Sequence, residues 1–411
     1  MPNISFSYSI PYLVLFLFLF VLLLFEFRNL KSGTDIKYIR WATMVGFVFF
    51  FGLRGFVFSD WGVYYPFFEK MPTIWEGGFS QVIDPEFAKN FATDISTGKS
   101  GFEMGFVYFT LIIKSIIPDY YAWVFINCIL DVILLDLFFR RYSSYYVLSF
   151  ILFITFGGLI IECNLMRNFK AILLFLLSIK YLQERKIIPY FLLNIAGILF
   201  HSSAILYLPL YFILHKECPK WVMWVILIAG VMVSIIQIGY LRPIALAIGD
   251  FIGGRLSVQI KLYFASDFFT QSYGLSIGFI ERIITYLCLI LFKKKLIERN
   301  PYNNIFINVY IIYFIFFFYF TEVMIVAERM TLLFAFSYWI LYAELLALVK
   351  EIANKTLVLT AILAFSILKI VSATNNVFSK YDNLLFGIES YDVRSQRFYN
   401  ELDNYLDSEG K

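Results

Sequence analysis

Long apolar runs separated by short basic turns fill almost the whole chain. A helix needs about 20 apolar residues, within a range of roughly 17 to 25, to cross a bilayer core. That ruler places spans near 10–27, 40–58, 120–139, 145–161, 167–182, 188–203, 204–214, 221–239, 276–292, 304–321, 331–348 and 356–372. Helices are expected for such runs because each helix satisfies its own backbone amides where there is no water to do so. The pattern therefore predicts an all-α integral membrane protein with about 12 transmembrane helices. The run at 105–118 is the exception, since it reaches only about 21 Å at 1.5 Å per residue. It ends at Pro118 and is expected as a short re-entrant or interfacial helix, because counting it as a span would reverse the orientation of everything after it.

The basic residues give that orientation. Arg28, Lys31, Lys37 and Arg40 follow the first run, and Arg140/Arg141, Arg185/Lys186, Lys216/Lys220, Lys293–Lys295/Arg299 and Lys350/Lys355 sit in later turns. Cytoplasmic loops collect Lys and Arg, so all of these turns are placed inside, with the N-terminus and the C-terminal tail outside. The chain then reads as one polytopic membrane domain over 1–411, with a large outer loop at 59–104, a second outer segment at 240–275 and a polar tail at 373–411.

Composition agrees with a membrane protein. Of the 411 residues, 60% are hydrophobic and 16% charged, against about a quarter charged in soluble domains. The 49 Phe and 29 Tyr supply lipid-facing and interfacial surface, and rings on which sugars can stack. The four cysteines are scattered without metal-ligand spacing and read as small core residues. The first run lacks a basic leader and a small-residue cleavage site, so it is expected as a retained helix.

Against this background the ionisable residues near the outer ends of spans stand out, since a charge within a span usually faces a cavity or a partner. Residues 162–214 hold two of them: Arg167 opens one apolar run, and His201 interrupts the end of the next. With the turn Gln183–Lys186 inside, the two meet at one outer depth. Lys170 shares a helix face with Arg167. Arg54, Asp60, Glu103, Glu162, Glu281-Arg282, Glu322 and Glu328-Arg329 fall at similar depth, while Asp131 and Asp136 are the inner-half exceptions. Arginine offers a planar fork suited to phosphate oxygens and keeps its charge in a low dielectric. Several arginines around one cavity suit a diphosphate, and a nearby carboxylate or His can take a proton from an attacking hydroxyl. The same residues also read as structural pairs, loop closures or interfacial side chains, and His201 by itself as a satisfied polar group.

Motifs along the chain resemble the EpsG family. These are LRGFVFSDWGVYY with Arg54, Asp60 and Tyr64; GFEMGFVYF with Glu103; MRNFKAILLFLLSIKYL with Arg167, followed by FHSSAILYLPL with His201; and ERMTLLFAFSYW with Arg329. The sequence departs from the family pattern at Asn168, where Gln is expected, and at Lys170-Ala171. The resemblance implies a GT-C-like fold and a polysaccharide polymerase of the Wzy type in the bacterial inner membrane, with its active site facing the periplasm. Such an enzyme transfers a growing glycan from undecaprenyl diphosphate to the non-reducing end of a new lipid-linked oligosaccharide unit. A chain-length regulator is an expected partner. No cofactor, metal or nucleic acid is expected, and no Gly-rich nucleotide loop occurs. On this reading Arg54, Arg167, Lys170, Arg255, Arg282 and Arg329, with Tyr64 and Glu328, hold diphosphate or sugar, while Asp60, Glu103 or His201 is the base. A flippase for the lipid-linked saccharide, and an O-acyltransferase or ligase of surface polysaccharide, are the competing readings.

Overall fold

In a computed structural model that describes residues 4–84, 87, 102–237, 239–253 and 276–409, the apolar runs form helices whose ends are set by local chemistry. Helix α1 (Ile10–Ser32) has Pro11 in its first turn and stops at Gly33, whose φ of 70° returns its N–H to the carbonyls of Asn29 and Leu30. It is followed by α2 (Lys37–Phe47), which runs into a wide turn at Val48–Gly52, and by α3 (Trp61–Lys70) and α4 (Met104–Ile116). Helix α5 (Tyr120–Tyr142) begins on Asp119, whose side chain accepts from the Ala122 N–H at 2.7 Å. Then come α6 (Tyr146–Phe153), α7 (Leu159–Cys163), α8 (Met166–Gln183) and α9 (Ile187–Phe200), with a 3₁₀ stretch at Ser202–Phe212. The later helices are α10 (Lys220–Ile236), α11 (Leu241–Ile252), α12 (Ile277–Arg299), α13 (Asn303–Tyr319), α14 (Met324–Phe334), α15 (Phe336–Leu348), α16 (Ile352–Thr374) and α17 (Tyr391–Glu409). Extended pairing among the described residues is confined to isolated bridges.

Among the described residues, four helical stretches are long and apolar enough to cross a membrane: Phe6–Ser32, Tyr120–Tyr142, Tyr146–Cys163 and Ile352–Thr374. The bent pairs Lys220–Ile236 with Leu241–Ile248, and Val326–Phe334 with Phe336–Leu348, raise this to six if each is one span. Other expected spans are shorter or more polar as helices. Helix α8 carries Arg167, Lys170 and Lys180, the run at 188–214 changes from α to 3₁₀ geometry at His201, and α13 has 17 residues. The segment at 105–118 is the 13-residue helix α4, and most of the outer segment 240–275 lies outside the described residues.

The chain divides into two compact units, Met1–Tyr211 with Lys350–Lys411, and Phe212–Val349. In the first unit α8 and α9 form a tight antiparallel hairpin. Asn194 donates to Ser178 Oγ at 3.1 Å, Gly197 lies close against Ala171, and Tyr207 stacks on Phe175 at 4.1 Å. Glu26 is buried on α1, and its carboxylate accepts the N–H groups of Tyr146 (2.6 Å) and Val147 (3.0 Å) at the start of α6. A helix N-terminus has unpaired donors and a partial positive charge, so it satisfies a carboxylate that lipid would penalise. Phe56, Trp61, Tyr64, Phe67, Phe106 and Trp123 belong to an aromatic core that α3 shares with α4 and α5.

The polar tail packs onto this core. Gly55 donates to the Asp382 carbonyl at 2.8 Å, Leu384 to the Leu53 carbonyl at 2.9 Å, and Asn383 Nδ2 to the Phe49 carbonyl at 3.1 Å. Tyr391 stacks on Tyr65 at 4.5 Å, and Phe398 meets Trp61 edge-on. Buried Arg394 pairs with Asp382 at 3.1 Å and Glu389 at 3.5 Å.

In the second unit α13 is buried on nearly every side. Glu281 and Arg282, adjacent on α12, take separate partners. Glu281 accepts from Thr285 (2.8 Å) and Tyr342 (2.9 Å), while Arg282 donates to Tyr313 Oη (2.9 Å) and the Gly278 carbonyl (2.7 Å) and lies 3.8 Å over the Phe317 ring.

One close approach positions α4 against α9 in the first unit. A Cβ on Gly105 would stand 2.5 Å from the Leu199 carbonyl oxygen and 2.8 Å from Leu199 Cβ, so only glycine lets α4 come this near to α9. Gly105→Ala is expected to destabilise the protein by about 1–3 kcal/mol, as overpacking does. Gly62→Ala, where a Cβ meets nothing within 4 Å, should not. Thermal unfolding of the two detergent-solubilised variants checks the difference.

Candidate functional site

The site is built around the break between α7 and α8, at residues 162–170. Here the chain leaves one helix through Asn164 and Leu165, whose N–H groups both return to the Ile160 carbonyl, and starts another at Met166. The break turns successive polar side chains toward different neighbours.

The deeper ones are neutralised by partners. Glu162 sits beside Arg54, with Oε1 3.7 Å from Nη1, and the guanidinium also donates to the Glu162 carbonyl at 3.0 Å and the Phe51 carbonyl at 2.5 Å. Lys170 Nζ meets Asp131 Oδ2 at 2.5 Å and reaches the Asn127 carbonyl at 3.4 Å. All four side chains are buried, and Asp131 and Glu162 act on each other and on both cations electrostatically. Two cations and two carboxyl groups therefore lie together inside the helix bundle. Breaking such a set on one side leaves a stranded charge.

The shallower side chains remain half open. Arg167 Nη1 pairs with Glu103 Oε2 at 2.7 Å, with about a fifth of each side chain exposed (22% and 20%). The Arg167 guanidinium lies 4.5 Å over the Phe102 ring. The other Glu103 oxygen accepts from the Ser202 N–H at 2.9 Å. His201 Nδ1 lies 2.8 Å from Ser203 Oγ, which in turn donates to Asn168 Oδ1 at 3.0 Å. Arg167 and His201 are thus joined through Glu103 and through the start of the 3₁₀ stretch.

Residues 59–64, leading into and opening α3, complete this cluster. Asn164 Oδ1 accepts from the N–H groups of Ser59 and Asp60, both at 3.2 Å, and its Nδ2 donates to Ser59 Oγ at 3.0 Å. Ser59 Oγ is also 3.0 Å from Asp60 Oδ1, and Tyr64 donates to the Asn164 carbonyl at 3.0 Å. Burial pushes the Tyr64 hydroxyl up to about 12, opposed by the charge of Arg167 and reinforced by Asp60.

Of the residues singled out in the sequence, Asp60, Tyr64, Glu103, Arg167 and His201 come together here, with Arg54 and Lys170 in the buried pairs behind them. Arg282 belongs to the second unit and is held by tyrosines and Phe317. Glu328 and Arg329, also in the second unit, are exposed. Arg255 lies outside the described residues. Sequence reasoning did not single out Asn164, Ser203 or Phe102. Asn164 and Ser203 flank known candidates, and the Asn at a helix break was the available signal, since Asn readily bonds local backbone. Among the described residues no group of three or more His, Cys, Asp and Glu gathers to hold a metal.

The family model described as the EpsG family matches residues 37–383, from the start of α2 to the Asn383 that bridges to Arg54. No curated protein matches the chain, and no solved structure does.

The buried balance makes a testable statement. Lys170→Met leaves the buried Asp131 without its cation and is expected to cost about 3 kcal/mol or more. The double variant Lys170→Met/Asp131→Leu, which removes both charges, should recover most of the loss. Thermal unfolding of the purified single and double variants reads this directly; a double variant no more stable than the single would contradict it.

Proposed function

The chain belongs to the EpsG family, and from that premise we propose that it is a membrane glycosyltransferase that polymerises polysaccharide repeat units carried on undecaprenyl diphosphate. The family's role in polysaccharide polymerisation and the apolar helices support the general reading. The carrier, the Wzy-type direction of transfer, the location in the bacterial inner membrane and the periplasmic orientation are part of the proposal, as are a bundle of about 12 spans and a chain-length regulator as partner.

The observation that carries the proposal is the half-open Arg167–Glu103 pair. A diphosphate oxygen competes well for a guanidinium, because both carboxylate and phosphate match its fork. As the lipid diphosphate enters, Arg167 exchanges Glu103 for phosphate, and Glu103, still held by the Ser202 N–H, is released as a base. The acceptor hydroxyl oxygen then attacks the anomeric carbon of the growing chain. The bond from that carbon to the phosphate oxygen breaks, its electron pair leaves with undecaprenyl diphosphate, and the hydroxyl proton goes to Glu103. Arg167 stabilises the charge that develops on the leaving group. Tyr64 and Phe102 flank this position, and Asp60 and His201 are the alternative proton acceptors.

The flippase reading draws on polar groups in the inner halves of the spans, for which Asp131 and Asp136 were the sequence evidence. Asp131 is held by Lys170, and Asp136 by Arg40 at 3.1 Å, Arg140 at 3.7 Å and Tyr146 at 2.9 Å. Their partners within the chain account for both.

Arg167→Ala is expected to slow polymerisation by about 100-fold or more, as loss of one transition-state donor does, with protein level and melting temperature little changed. Arg167→Lys should restore part of the rate. Extension of a defined lipid-linked repeat unit by purified protein checks this, and it also separates a polymerase from a flippase, which would not lengthen the glycan. Normal chain length from Arg167→Ala would overturn the assignment.

A further inference from the structure

At the opposite end of α5 and α8 from the Arg167 cluster lies a second feature, independent of the proposed reaction. A cavity of about 410 Å³ opens between α5, α8 and α9. Its walls are apolar, with Leu137, Phe138, Leu176, Leu177 and Leu193. Its rim is basic, with Arg140 and Arg141 from the last turn of α5 and Lys180 from α8.

We propose that this cavity binds the phosphate headgroup of an anionic glycerophospholipid from the cytoplasmic leaflet. The charge balance around it favours an anion. Asp136 is shared between Arg40 and Arg140, and Glu184 between Lys180 at 3.9 Å and Lys186 at 2.9 Å. With Arg141, which lies over the Tyr142 ring, the cations at this end outnumber these two carboxylates. Basic pockets between helices on the cytoplasmic side are suited to anionic lipid headgroups, and the basic turns assign this end to that side.

The apolar surface around the cavity argues for a lipid rather than a free ion. On α5, Leu130, Ile133 and Leu137 are exposed at 37%, 44% and 43%, at helical spacing that forms one stripe leading away from the rim. On α9, Ile188, Leu192, Ile195 and Leu199 form a second exposed stripe. Both stripes belong to helices that line the cavity, so a headgroup seated at Arg140, Arg141 and Lys180 has acyl-chain beds beside it.

Native mass spectrometry of the full-length protein, delipidated in detergent and titrated with phosphatidylglycerol or phosphatidylethanolamine, tests the assignment. Phosphatidylglycerol should be retained in preference, and Arg140→Gln/Arg141→Gln/Lys180→Gln should weaken that retention by about 10-fold or more. The control Lys294→Gln/Lys295→Gln, with two solvent-facing cations of α12 removed, should bind as the unaltered protein does. If the triple variant does not fold, Leu177→Trp, which fills the cavity and keeps every charge, should lose the lipid instead. Equal retention of both lipids, or unchanged phosphatidylglycerol binding in the triple variant or, where that one does not fold, in Leu177→Trp, overturns the proposal. Displacement by millimolar inorganic phosphate would mark a free-phosphate site, and preference for undecaprenyl phosphate a polyprenyl site; either overturns the phospholipid assignment.

Discussion

A charge inside a helix bundle must find a partner there, and residues 162–170 are where the first unit meets that demand. Within nine positions the chain supplies Glu162 to Arg54, Asn164 to the outer loop, Arg167 to Glu103, Asn168 to Ser203 and Lys170 to Asp131. A continuous helix would place these side chains around one cylinder. The break at Asn164–Leu165 lets them serve neighbours beyond the wide turn after α2, in the segment leading into α3, at the start of α4, on α5 and in the segment after α9. Neutralising the deep charges is a condition of folding in lipid, and the same geometry leaves the shallower pair half open.

That gradient from buried to open separates the roles of residues that look alike in sequence. Arg54, Lys170 and Arg167 are all cations near the ends of apolar runs. Arg54 is enclosed by Glu162 and two carbonyl oxygens, and Lys170 by Asp131. An anion approaching either would have to displace a well-made internal partner in a low dielectric. Arg167 keeps part of its surface exposed, leans on Phe102 and shares its carboxylate with a backbone N–H. The first two are therefore best read as setting the frame, and Arg167 as facing what enters it. Arg282 shows a third pattern in the second unit, with phenolic and aromatic neighbours in place of a carboxylate.

Much of this frame was legible in the sequence, because lipid imposes a simple rule on length and polarity. The apolar runs are helices, and Arg167, Glu103, Asp60, Tyr64 and His201 stand out as polar groups at the ends of such runs or in a matching motif. Their pairing was not legible. Arg167 and Glu103 are 64 residues apart, and Arg54 and the Glu162 carbonyl 108 apart, and nothing in hydropathy selects among the carboxylates at one depth. Span lengths were also blurred. A sliding window reads through the change to 3₁₀ geometry after His201 and through the bend between α14 and α15, since both keep the composition apolar while the axis changes.

The tail is the clearest case of a contact that composition does not show. Residues 380–398 are polar, and Asp382 and Leu384 bond the backbone on either side of Arg54, while Tyr391 and Phe398 pack on the segment that carries Asp60 and Tyr64. Polar residues serve here because the segment they meet has just left a helix and presents unpaired carbonyls and amides. Phe49 and Phe50 offer such carbonyls to Asn383 and Tyr381 at the wide turn before Arg54. A hydrophobic tail could cover that turn but could not satisfy it. The polar character of the tail is thus matched to the irregular backbone it closes, and the tail packs on the same segment whose Ser59, Asp60 and Tyr64 bond Asn164.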